Sequence, residues 1–285
     1  MQKILVGIMF IVAACGGAAE VTTTIAASGD GAVPAGSFAV RASSDLGVGQ
    51  ERLLVGIVAE NGQRLGSPDL DVTMQIWPQD DPEAAQNFDA DFLWIVPEVS
   101  GIYKADVEFD RPGIWAVTLL PEGGPPLEPV GFSVLSDTAS PSIGEAAPAS
   151  QSPSVATHAI EDISTDDDPD PRFYAMSVAE AVTSGRQSVI VFATPQFCQT
   201  AACGPMLDDV KAAASSHPEV NFVHVEVFTG FNEPGFAPNS DHLAPAVLEW
   251  GLVTEPWVFV VDGSGTVTHR FEGVMDSSEL DAALS

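Results

Sequence analysis

Between residues 34 and 135 apolar side chains recur at every second position. Leu70, Val72, Met74 and Ile76 alternate with Asp71, Thr73 and Gln75, while Tyr103, Ala105, Val107 and Phe109 alternate with Lys104, Asp106 and Glu108. A strand points successive side chains to opposite faces, so each run predicts a strand with one buried face. Trp115, Val117 and Leu119 continue the pattern after Arg111-Pro112-Gly113-Ile114, which has Pro and Gly where a type II turn uses them. Val130, Phe132 and Val134 predict a last strand, and Asn61-Gly62 after LLVGIVAE supplies a hairpin signal.

From about Ala159 the period changes and strands alternate with helices. SVAEAVTSG, from Ser177, has a capping serine with Glu180 three residues on and a glycine at its end, the marks of a short helix. SVIVFA, from Ser188, is a continuous apolar run, as in a strand covered on both faces. Cys203 to Ser216 then reads as helix, VNFVHVEVF as strand and LAPAVLEWG as a short helix. TEPWVFVVDGSGTVTHRFEG predicts two strands joined by a Gly-containing turn, and SSELDAAL a closing helix.

Two stretches lack any period. Residues 16–33 are small and polar and suit a tether, and residues 136–158 are rich in Ala, Ser and Pro and cannot bury a core, so they mark a linker. The expected organisation is therefore two domains, 34–135 and 159–285. About seven short strands in roughly 100 residues predict an all-β immunoglobulin-like sandwich for the first. Its stretch GIYKADVEFDRPGIWAV resembles the small β-sandwich modules of bacterial envelope proteins. No nucleophile, metal cluster or cofactor loop accompanies it, which suits a spacer or docking module.

The first fifteen residues, MQKILVGIMFIVAAC, join Lys3 to a short apolar run that stops at small residues. That is too short to span a bilayer and reads as a signal peptide. Val12-Ala13-Ala14-Cys15 resembles the lipobox of bacterial lipoproteins, which implies lipidation at Cys15. No other segment approaches the roughly 20 apolar residues of a membrane helix, so attachment would be through lipid alone, on the outer face of the cytoplasmic membrane or in the periplasm. With Cys15 in the anchor, Cys198 and Cys203 are each other's only intramolecular partners in an oxidising compartment. A net charge of -30, with ten Lys and Arg scattered singly, offers no basic patch for phosphates and argues against a nucleic-acid partner.

The element order after Ala159, the cysteines directly after the first central strand and Pro256 just before a later strand together resemble a thioredoxin-like α/β domain over residues 159–285. The resemblance implies a redox pair at Cys198 and Cys203, a cis-proline at Pro256 that helps hold substrate peptide, and Glu255 beside it. No cofactor is implied; the partners would be exported proteins bearing thiols or disulfides, and a membrane redox donor. The spacing departs from the family, with Gln199, Thr200, Ala201 and Ala202 between the cysteines in place of two residues. Cys203-Gly204-Pro205-Met206 also reads like the usual motif with its second cysteine replaced, so either sulfur could be the one that attacks.

Residues five apart on one helix are separated by about 7.5 Å of rise and some 140° of rotation, beyond disulfide reach, so if the two bond, Cys198 lies in the preceding loop. Pro205 places Cys203 at the helix start, where unpaired N–H groups and the helix dipole favour thiolate. Exposure favours Cys198 as the nucleophile; the dipole favours Cys203.

Three other readings compete. The disulfide could be an inert staple in a binding protein. Copper chaperones of oxidase assembly also combine this fold with close cysteines, but they add a histidine before the later strand; Val253-Thr254-Glu255-Pro256 has none, and His242 is the nearest. Asp166, Asp168 and Asp170 suggest a calcium loop, yet Pro171 stands where that loop needs Gly and Ser177 where it needs Glu.

Overall fold

The computed structural model describes residues 33–285. The stretches read as signal peptide and tether, with Cys15, lie outside the described residues up to residue 32.

Eight strands form the N-terminal sheet: β1 (Phe38–Arg41), β2 (Gly49–Val58), β3 (Arg64–Leu65), β4 (Val72–Pro78), β5 (Gln86–Val96), β6 (Ser100–Phe109), β7 (Gly113–Pro121) and β8 (Val130–Val134). Their order is β1-β2-β6-β5-β4-β7-β8, with β3 paired to β2, and every pairing is antiparallel. The sheet curls almost shut. Val48 N–H donates to the Leu135 carbonyl at 3.0 Å and Leu135 N–H to the Leu46 carbonyl at 2.9 Å, joining its two ends. Inside, Val55, Met74, Val107, Val117 and Leu119 are buried, and Phe109 meets Trp115 and Phe132 edge to face, with centroids 5.0 and 5.8 Å apart. These are the alternating positions of the sequence, and their common burial is the main favourable term that holds the barrel.

The immunoglobulin-like sandwich is corrected to this nearly closed, continuous sheet. Alternation reports which face of a strand is buried; it does not report whether strands stand in two sheets or in one that bends. The bend is made by β5, whose first half (Gln86–Ala90) pairs with β4 and whose second half (Asp91–Val96) pairs with β6. Arg111-Pro112-Gly113 does not close a hairpin either: β6 pairs with β2 and β5, whereas β7 pairs with β4 and β8.

The second sheet has four strands, β9 (Ser188–Ala193), β10 (Asn221–Glu226), β11 (Trp257–Val261) and β12 (Val267–Glu272), in the order β10-β9-β11-β12. β9 and β10 are parallel and the other pairs antiparallel. Four helices accompany it: α1 (Val178–Val182), α2 (Cys203–Ser216), α3 (Pro245–Glu249) and α4 (Ser277–Ala283). Val189 and Val191 of β9 face Met206, Leu207 and Val210 of α2 and Leu280 of α4. Ile190 and Phe192 face Val178 of α1 and Trp250. All six residues of β9 are buried, as its unbroken apolar run requires.

The α/β thioredoxin-like assignment is corrected as well. The described residues are predominantly β, 34% strand against 17% helix, and neither a thioredoxin nor an immunoglobulin fold is shown. The elements stand where the periodicity puts them, but periodicity sets the order of elements and not the weight of helix: α1 and α3 have five residues each.

A buried polar junction joins the two sheets. The guanidinium of Arg270, on β12, lies 3.2 Å from Glu51 of β2 and 3.8 Å from Asp45, and donates to Ser140 Oγ at 3.0 Å and to the Asp45 carbonyl. Asp45 in turn accepts from the backbone N–H groups of Ala139 and Ser140, both at 2.9 Å. Residues 136–158, read as a linker, therefore lie pinned beside both sheets, and Gly144, Glu145 and Ala147 hydrogen-bond along Gly265 and Val267. Arg52 of β2 adds a two-point pair with Glu279 of α4, at 3.1 and 2.8 Å.

Burial pushes the Glu51 carboxyl up, against the pull of Arg270. A carboxyl whose folded pKa exceeds its unfolded value weakens the fold as pH rises through that window. Removing Arg270 enlarges the shift and leaves two buried acids without their cation. Arg270→Ala is expected to cost about 3–5 kcal/mol at neutral pH. The deficit should shrink as pH falls towards the ordinary carboxylate range; urea unfolding at the two pH values measures both.

Candidate functional site

β9 ends at Ala193, and the chain crosses an irregular loop before α2 begins at Cys203. Cys198 lies in that loop and is disulfide-bonded to Cys203, with the Cα atoms 6.1 Å apart. The loop reaches back over the helix start, as five-residue spacing demands of a bonded pair. Three local features shape it. Gln196 N–H donates to Thr165 Oγ1 at 3.3 Å, and Thr165 is itself held by Glu226, the last residue of β10, through its N–H at 3.0 Å and its hydroxyl at 2.6 Å. Thr200 Oγ1 lies 3.4 Å from Cys198 Sγ and accepts from Ala202 N–H at 3.4 Å. Ala201 takes the left-handed conformation, φ +61°, which turns the chain into the helix at a cost of about 1–2 kcal/mol for a residue with a Cβ.

The two sulfurs differ in setting. Cys198 is partly exposed; Cys203 is wholly buried, inside the core formed by β9, α2 and α4. Cys203 N–H, one of the donors that a helix start leaves without a helical partner, points at Cys198 Sγ at 3.3 Å. Phe197 beside it packs with Phe236, Phe228 and Phe231 at 5.0, 6.1 and 6.5 Å, giving the disulfide an apolar flank. On the other flank Ala202 packs against Leu54, Leu93 and Ile102 of the barrel and Val274. The barrel thus touches the residue next to Cys203.

Glu255 and Pro256 come to the same end of the second sheet. β11 runs against β9 with Trp257 opposite Phe192, which sets Pro256 beside Ala193, and the Glu255–Pro256 peptide is cis. Burial pushes the Glu255 carboxyl up, and neither residue hydrogen-bonds to a sulfur. His242 stacks edge to face on Phe236 at 5.0 Å. The three aspartates of the acidic stretch do not converge: Asp166 pairs with Lys211 at 2.9 Å and Asp170 with Arg172 at 2.6 Å. Among the described residues no group of three His, Cys, Asp or Glu side chains is placed to hold a metal ion.

Sequence reasoning did not single out the support beneath the loop. His224 is buried and bridges Tyr174, whose hydroxyl is 2.7 Å from Nδ1, and the Ala193 carbonyl, 3.0 Å from Nε2. Burial holds its pKa below the usual histidine value. A neutral imidazole therefore ties the end of β9 to the segment before α1. The one available signal was polar residues, His224 and Glu226, interrupting the apolar run that begins at Phe222.

No protein-family model matches the chain, and no curated protein is similar to it.

After mild reduction, a small alkylating agent at limiting dose should modify Cys198 first, on the order of tenfold faster than the buried Cys203, because attack needs an accessible thiolate. Mass spectrometry of the labelled peptides reads the ratio; equal or inverted labelling contradicts the expected order.

Proposed function

We propose that the protein is an extracytoplasmic, membrane-anchored thiol-disulfide oxidoreductase that acts on exported proteins. The observation that carries the reading is the asymmetry of the disulfide, one cysteine half-buried in a loop and the other wholly buried at a helix start. In the oxidising direction a client thiolate attacks Cys198 Sγ, the Cys198–Cys203 bond breaks and the Cys203 thiolate leaves, favoured by the helix N-terminus. A second client thiolate then attacks the client sulfur of the mixed disulfide and releases Cys198. The client loses two electrons and two protons, and Cys198 and Cys203 gain them. The reducing direction is the same sequence run backwards, with Cys198 as the nucleophile and Cys203 resolving.

A permanent structural disulfide is the reading that the full burial of Cys203 favours. The reduction potential separates the two, since structural disulfides sit below about -300 mV and exchanging pairs above it. Under the proposed function the pair equilibrates with glutathione or dithiothreitol above that value, and Cys203→Ala accumulates mixed disulfides with exported proteins while Cys198→Ala does not. A potential below it, with no trapped client, would refute the enzyme.

Membrane anchoring rests on Val12-Ala13-Ala14-Cys15 in the sequence; among the described residues no helix is long and apolar enough to cross a membrane. Cys15→Ser is expected to release the protein from the membrane fraction or leave it unprocessed. Salt-resistant attachment of that variant would remove the lipid anchor from the proposal.

A further inference from the structure

The second half of β5 is an unfinished strand pair. Asp91–Val96 hydrogen-bonds to β6 on one side, but β4 leaves β5 at Ala90, and among the described residues no strand takes its place on the other side. A free strand edge presents a row of N–H and C=O groups able to template another chain. This edge opens into a cleft of ≈ 420 Å³ between the barrel and the start of α2. Phe92, Leu93 and Trp94 all line it, although Leu93 faces the opposite side of the strand from its neighbours, so the cleft runs along the edge and not over a face. Pro97 and Pro205, the latter two residues beyond Cys203, also line it.

The remaining wall is acidic. Asp208, Asp209 and Asp276 line it with no basic residue among the lining; Lys211 reaches Asp208 at 2.8 Å from outside. Asp209's carboxyl is pushed up by burial and by the charges of Asp208 and Asp276, so a cation in the cleft would relieve a repulsion that is already there. Trp94 is 36% exposed and offers an aromatic face to the same space.

We propose that this cleft binds an extended, lysine- or arginine-bearing segment of a polypeptide client, which adds as a strand to the Asp91–Val96 edge and sets its basic side chains against Asp208, Asp209 and Asp276. Main-chain hydrogen bonds to the edge supply affinity and register, and alternate side chains supply the choice of sequence. That the segment belongs to a redox client rests on the oxidoreductase reading; that the cleft binds it does not.

The probe is a fluorescein-labelled peptide alternating lysine and valine, tested on the full chain by anisotropy in a cysteine-free form and by mixed-disulfide formation in a form with one central cysteine. The lysine peptide should bind, a glutamate counterpart should not, and added salt should weaken the complex. Trp94→Ala and Asp208→Asn should each lower the affinity fivefold or more, and N-methylation of alternate peptide nitrogens should abolish binding in one of the two registers. Dithiothreitol should reduce the disulfide equally fast in wild type and both variants.

Equal binding of the lysine and glutamate peptides, affinities within twofold in both variants, or indifference to N-methylation would overturn the strand-addition site. A dimer in solution that Trp94→Ala splits would assign the edge to a second copy and overturn it too. Binding that follows the expected pattern, with no exchange by the cysteine peptide or by dithiothreitol, would leave the cleft standing and remove the oxidoreductase.

Discussion

The placing of the barrel against the start of α2 depends on one guanidinium. Arg270 is 6% exposed at its side chain and faces two acids, Asp45 and Glu51, that are equally hidden. Taking three charges out of water is costly, and the arrangement persists because each is also hydrogen-bonded: Asp45 by Ala139 and Ser140, Glu51 by Gly47 at 2.8 Å, Arg270 by Thr138 and Ser140. Apolar surfaces slide past one another at little cost; a buried charge with fixed donors does not. The junction therefore sets the register between the sheets, and that register is what puts Leu54, Leu93 and Ile102 against Ala202, one residue from Cys203.

The same economy explains where the few cations went. The chain has ten Lys and Arg against 40 Asp and Glu, so there are too few cations to pair each acid with one of its own. Arg52, Lys104 and Arg270, whose side chains are 12%, 8% and 6% exposed, all sit at the junction of the sheets. Exposed ion pairs contribute little, whereas a buried acid left alone is strongly destabilising. With these three inside and acids outnumbering bases four to one, the outer surface is predominantly negative, and such a surface raises the local concentration of cations.

The strands were legible because burial on one face leaves a period of two, and the buried rows Val72-Met74-Ile76 and Trp115-Val117-Leu119 lie where that period puts them. The immunoglobulin-like and thioredoxin-like assignments failed for a shared reason. Both concern which elements lie beside which, and pairing partners are chosen by contacts far apart in sequence. Nothing in GIYKADVEFDRPGIWAV separates a hairpin from a crossing between two parts of one sheet, and nothing in QNFDADFLWIV marks Ala90 as the point where β5 changes neighbours. The disulfide was readable from cysteine number and spacing, whereas the Arg270 junction was not: in sequence, a buried cation looks like any other scattered one.

A disulfide that only stapled the start of α2 would be best placed with both sulfurs buried, shielded from exchange. Here one of them, Cys198, is only half-buried. Ala201 is held in a left-handed conformation that a glycine would adopt freely, and the loop it turns leaves Cys198 half-buried against the edge of the core while Cys203 lies wholly inside it. The N–H of Cys203 is aimed at Cys198 Sγ, and Thr200 flanks the same atom. Strain retained at one residue, together with polar groups gathered on Cys198 Sγ and none on the buried sulfur, suits the proposed attack at Cys198 and resolution by Cys203. The barrel, for its part, packs on Ala202 and so borders the buried Cys203.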